Sequence, residues 1–122
     1  MNREEYRERI RLAFARISVD EQFLRRARGR EALLGMFIQE LNLGWGVRIS
    51  GGQLTWIDKF PHETRDRCYF RQGTDFHRYA SGTPRIWLAF RRRLRQVGSA
   101  GEFRLLHRPL VRAYTRLIKS GN

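Results

Sequence analysis

The chain has a single cysteine, only two lysines and almost no acidic residues in its last third. The lone thiol, Cys68, excludes an intramolecular disulfide and a cysteine-rich zinc site. No run approaches the roughly 18 apolar residues of a membrane-spanning helix. The first ten residues, "MNREEYRERI", are charged from the third position on, unlike a secretory leader. A reducing compartment suits these absences, and the expected location is cytoplasmic. The shortage of carboxylates is local. Residues 84–122 hold nine arginines and one lysine against Glu102 alone.

What is present bounds the answer from the other side. Apolar residues make up 41% of 122 residues and are spread along the chain, enough to bury a core and too many for the disordered class. Residues 1–43 carry nine positive and seven negative side chains, and residues 44–83 six and four. The excess within the net +13 therefore lies at the C-terminal end. It is almost all arginine, whose planar five-donor fork matches phosphate.

The expected fold is a helix-rich α+β single domain in the order α-α-β-hairpin(-β)-α-α. Residues 1–43 read as N-terminal helices. Tyr6, Ile10, Phe14 and Ile17 form one apolar stripe on a helix over 3–17. Ser18 and Glu21 match a capping box before a second helix from Asp20, which Gly29 breaks. "REALLGMFIQELN" then continues as helix over 30–42, with Leu33, Leu34, Phe37, Ile38 and Leu41 as its face.

Residues 45–58 change period. A Gly51-Gly52 turn pairs Ile49 with Leu54 and Val47 with Trp56, which places these four and Trp45 on one face of a hairpin. Residues 59–83 are irregular, with "DRCYFRQ" as a candidate third strand. An arginine-rich helix pair fills 84–119. Thr83-Pro84 starts its first helix, which runs to Val97 with Ile86, Phe90, Leu94 and Val97 inward and Trp87 beside them. Ser99 and Glu102 offer a second capping box. The last helix buries Phe103, Leu106, Leu110, Tyr114 and Leu117, with a kink or split at Pro109.

Arg104, Arg108, Arg112 and Arg116 recur every four residues, drifting about 40° and rising about 6 Å per step. Packed as a helix hairpin, this ridge and Arg85, Arg91, Arg92, Arg93 and Arg95 would face outward unpaired. The expected partner is nucleic acid, DNA or RNA, bound along its phosphate backbone largely without sequence readout. The expected contacts are Arg91, Arg92, Arg95, Arg104, Arg108, Arg112, Arg116 and Lys119. Arg67, Arg71 and Arg78 add to them, with Tyr69 and Tyr79 as base-stacking platforms. No membrane partner is expected, because core packing should leave these helices no large apolar insertion face. Trp45, Trp56 and Trp87 read as core.

Two other functions compete. One is an accessory or inhibitory subunit docking on an acidic protein or ribonucleoprotein complex. The other is a small metal-free ribonuclease using His77, with Arg78 and Tyr79 beside it. The leading expectation is a protein that is not an enzyme and needs no cofactor or metal. His62, Cys68 and His77, with Glu63 or Asp75, fit no standard zinc spacing. The segments "FRRRLRQ" and "LVRAYTRLIKSG" are loosely similar to the helical small subunits of CRISPR surveillance complexes. That resemblance implies a basic face laid against a nucleic-acid strand, although the Gly-Gly hairpin is foreign to it.

Overall fold

In the computed structural model, which describes residues 1–98 and 101–120, five strands form one mixed sheet with five helices packed on it. The α+β expectation holds, while several boundaries move. Helix α1 (Arg3–Ile17) starts at Asn2, whose Oδ1 accepts the Glu5 N–H at 2.9 Å. It buries Tyr6, Ile10, Phe14 and Ile17, the stripe read from the sequence. Helix α2 (Glu21–Ala27) is capped by Asp20, which accepts from the N–H groups of Gln22 and Phe23. Ser18 instead closes the end of α1, so the Ser18–Glu21 box does not form.

Residues 30–42 are not a helix. Ala32–Ile38 is β1, the middle strand of the sheet order β3-β2-β1-β4-β5. A central strand covered on both faces reads as a continuous apolar run, which helical spacing fits equally well. The hairpin expectation holds in register. In β2 (Leu43–Ser50) and β3 (Gln53–Ile57), Ile49 pairs with Leu54 and Val47 with Trp56. Gly51 and Gly52 turn through φ of +59° and +74°, as a two-residue hairpin loop requires. Glu31 fastens the turn by accepting from the Ser50 hydroxyl and the Gly51 N–H.

The candidate third strand is real: β4 (Asp66–Phe70) runs parallel to β1. The rest of 59–83 is more ordered than expected, because α3 (Gly73–Ala80) buries Phe76, Tyr79 and Ala80. The expected helix from Pro84 to Val97 is cut short. Helix α4 spans Arg85–Phe90, with Pro84 as N-cap. The chain then turns at Arg92 (φ +57°) and enters β5 (Leu94–Val97), which pairs antiparallel with β4. Helix α5 (Gly101–Ser120) is continuous through Pro109, so the expected split does not occur. The Ser99 half of the second capping box lies outside the described residues. Helix α5 packs on α1, α2 and α3 rather than pairing with α4, so the described residues form no basic helix hairpin.

The helical side of the sheet is the main core, built around Trp45, Phe70, Phe76, Tyr79 and Tyr114. The other face is covered by the segment after β3. Phe60 and Pro61 lie over Gly35, Gly44 and Gly46, and Phe60 also meets the rings of Phe37 and Tyr69.

Candidate functional site

Helix α4 is turned inside out relative to expectation. Leu88 is fully buried, whereas Ile86, Trp87 and Phe90 are 70%, 45% and 85% exposed. Ile86 and Phe90 are four residues apart and Trp87 and Phe90 three, so all three share one outward side. The cause is visible in "RIWLAF", where five consecutive apolar residues cover every side of one short helix. A helix that is apolar all round cannot bury more than the side it turns to the core. Arg91 stacks on the outer apolar side, its guanidinium carbon 4.6 Å from the Trp87 ring centre. A shallow cavity of about 530 Å³ lies alongside, lined by Arg78, Thr83, Pro84, Trp87 and Arg91. Trp87 is thus surface, not core, and an apolar side of α4 does remain outward.

Behind α4 sits a buried ionic knot. Asp75 is fully buried. Its Oδ1 accepts from Arg93 Nε at 2.9 Å and its Oδ2 from the Gln72 N–H at 2.9 Å. Arg93 also donates to Gln72 Oε1 at 2.8 Å. This pair ends the helix that the sequence suggested would run on, drawing Arg93 inward just before β5.

The other expected contacts scatter. Arg104, Arg108 and Lys119 are exposed on α5. Arg112 is paired with Asp20 at 3.1 Å, and Arg116 is engaged within the chain, so the ridge is not a free row of cations. Tyr79 is buried with its ring stacked on His107 at 4.1 Å, so it offers no platform for a base. Tyr69 is half-buried between Phe60 and two arginines. Arg67 donates to its hydroxyl at 3.3 Å, and Arg95 lies 4.7 Å from its ring centre. Arg71, Arg92 and Arg95 are exposed around a second cavity, of about 400 Å³.

His77 does not gather with Arg78 and Tyr79 as expected. Its Nδ1 is 3.0 Å from the Tyr114 hydroxyl, and Arg78 faces the cavity beside Trp87. Cys68 is buried, and burial pushes its thiol pKa up. Among the described residues, no three of His, Cys, Asp and Glu come together to hold a metal ion. No helix among the described residues is long and apolar enough to cross a membrane.

Burial also acts on the histidines. His77 and His107 are both held below the ordinary value, chiefly by desolvation, with Arg9 adding to the effect on His77. At His107 the Tyr79 carbonyl, 2.8 Å from Nε2, opposes the shift and Arg85 favours it. The unfolded chain takes up protons at about pH 6.5 while the folded chain still resists them. The two histidines therefore weigh against the fold as pH falls below that value. Urea midpoints should drop from about pH 7.5 to about pH 5.5, and less so in the His77→Gln/His107→Gln variant.

No family model matches the sequence, and no curated protein does. The fold, however, recurs in solved structures. The UbiJ-SCP2 ubiquinone synthesis protein matches with a TM-score of 0.61 at 9% identity, over 81% of this chain and 86% of that one. A conserved hypothetical protein of Thermus thermophilus, offered as a sterol carrier protein, matches with a TM-score of 0.63 at 10% identity, over 90% and 86%. The inverting sec-alkylsulfatase Pisa1 from Pseudomonas sp. matches with a TM-score of 0.59 at 12% identity, over 78% of this chain. This chain spans only 14% of that enzyme's length.

These findings overturn the nucleic-acid reading. It required a continuous pair of basic helices, but the first ends at Phe90 and β5 takes the place of its last turn. The fold is instead the one seen in the UbiJ-SCP2 ubiquinone synthesis protein and in the sterol-carrier candidate. The likeness to CRISPR small subunits falls with the helix pair, and so does the docking of a basic helix face on an acidic protein or ribonucleoprotein. The premise that core packing leaves no apolar face outward does not hold at α4.

Proposed function

We propose that this domain binds lipid, and that the outward side of α4 is the surface that meets the hydrocarbon. One observation carries the reading: Ile86, Trp87 and Phe90 stand exposed together on six residues of helix, bracketed by Arg85 and Arg91. Folded chains seldom leave such side chains uncovered without a partner for them. Arginines beside an apolar wedge suit an interface, since their stems lie along hydrocarbon while their heads reach anionic groups. Tryptophan favours the same depth. The sharing of the fold with a ubiquinone synthesis protein and a sterol-carrier candidate supports the reading.

The test is vesicle co-sedimentation with mixed phosphatidylcholine and phosphatidylglycerol, comparing the native chain with Ile86→Ser/Phe90→Ser. Burying two such side chains is worth about 3 to 6 kcal/mol, so the variant should bind about a hundredfold more weakly or worse. Its melting temperature should not fall, since neither side chain is in the core. Equal vesicle binding by the two proteins would reject the reading.

A further inference from the structure

Beside α4, but facing a different way, three arginines converge on one cavity. Arg71 follows β4, Arg92 lies in the turn after α4, and Arg95 is on β5. We propose that this cavity is an anion site for a phosphate monoester, either on a lipid head group or free. The lipid-head-group form rests on the function proposed above.

The cavity, about 400 Å³, has no carboxylate in its lining. Arg71, Arg92 and Arg95 make no ion pair with a carboxylate among the described residues. The fourth arginine there, Arg93, is already committed to Asp75. Glu40, next to the lining residue Gln39, accepts the Gly73 N–H at 2.9 Å. Three uncompensated guanidinium groups around one concavity repel one another, and a doubly charged tetrahedral anion relieves that with several charge-assisted hydrogen bonds.

The site is also held in place. Arg95 rests on the Tyr69 ring, which Phe37 and Phe60 back from the side. The Arg71 N–H donates to the Arg93 carbonyl at 3.0 Å, fixing the ends of β4 and β5 together. Arg92 occupies the left-handed region at φ +57°, a conformation that disfavours any side chain with a Cβ. That backbone lets three successive arginines part company, with Arg91 going to Trp87, Arg92 to the cavity and Arg93 to Asp75. Strain retained at an arginine where glycine would be relaxed is an observation that points to use of the side chain. Ala89 and Leu94 supply an apolar wall to the cavity.

The experiment uses three probes: inorganic phosphate, phosphatidylcholine vesicles, and the same vesicles containing phosphatidic acid. Three variants are compared with the native chain: Arg71→Gln/Arg95→Gln, the charge-matched control Arg104→Gln/Arg108→Gln on α5, and Arg92→Gly. The native chain should favour phosphatidic acid vesicles over plain ones, and the first double variant should lose about tenfold or more of that preference. The α5 control should keep it. Arg92→Gly should raise the melting temperature, because glycine accepts the backbone, while weakening phosphate binding. Binding of inorganic phosphate, lost in Arg71→Gln/Arg95→Gln, with no vesicle binding at all would uphold the site as one for free phosphate and reject the lipid reading. Equal losses in the two double variants would mean diffuse attraction to charge and overturn the proposal. So would a native chain that shows neither phosphate binding nor a preference for phosphatidic acid.

Discussion

Arg93→Ala is expected to cost about 3 to 5 kcal/mol, one of the largest losses a single substitution can produce here. Asp75 is the one charged residue fully buried among the described residues, and Arg93 is its only cationic partner there. Removing the guanidinium leaves the carboxylate with the Gln72 N–H alone, in a site closed to water. It also releases Gln72 Oε1, which Arg93 holds at 2.8 Å. Urea denaturation should show the full loss, and the melting temperature should fall by about 10 °C or more. Asp75→Asn combined with Arg93→Ala should be less damaging than Arg93→Ala alone, since no charge is then stranded. A loss below about 1 kcal/mol for Arg93→Ala would mean that water reaches Asp75 once the arginine is gone.

That same pair explains why the C-terminal third was hard to read. Ile86, Phe90, Leu94 and Val97 have good helical spacing, and the local signals favour a helix to Gly98. The helix stops because Arg93 finds Asp75, 18 residues earlier, and because Leu94 completes a ladder opposite Phe70. Both reasons are non-local. Residues 30–42 failed differently. Leu34, Met36 and Ile38 face the helices while Gly35 and Phe37 face the Phe60 segment, and a strand buried on both faces loses the alternation that identifies strands. Helix α3 has a legible i, i+3, i+4 core pattern in Phe76, Tyr79 and Ala80, but only eight residues to display it. Where geometry was local, the sequence sufficed: the Gly51-Gly52 hairpin, the α1 stripe and the apolar face of α5 all stand.

The site was half visible. The concentration of arginine was plain, but a long helix implied a row, whereas a turn at Arg92 makes a cluster. The better signal was "IWLAF", too apolar on too short a helix to be hidden. It marks a surface that the count of charges drew attention away from.

The glycines of the sheet carry the second large effect. Gly35 is in an extended strand, not in the left-handed region, so alanine there should by itself be tolerated or mildly stabilising. Its surroundings reverse the sign. A Cβ on Gly35 would meet Phe60 Cε1 at 2.9 Å and Cζ at 3.3 Å, and Gly46, its partner across β1 and β2, would meet Pro61 Cδ at 2.9 Å. Gly35→Ala is therefore expected to cost about 1 to 3 kcal/mol by overpacking. Phe60→Ala should cost about 3 to 5 kcal/mol, since Phe60 is only 6% exposed and closes this face of the sheet. The decisive measurement is the double variant. With the ring gone, the alanine at 35 has room, so the pair should cost no more than Phe60→Ala alone, a coupling of at least about 1 kcal/mol. Simple additivity would mean that Phe60 does not rest on Gly35. The loss would then have to arise within the strand, and the Phe60 segment would be a loose cover for the sheet, not a seated one.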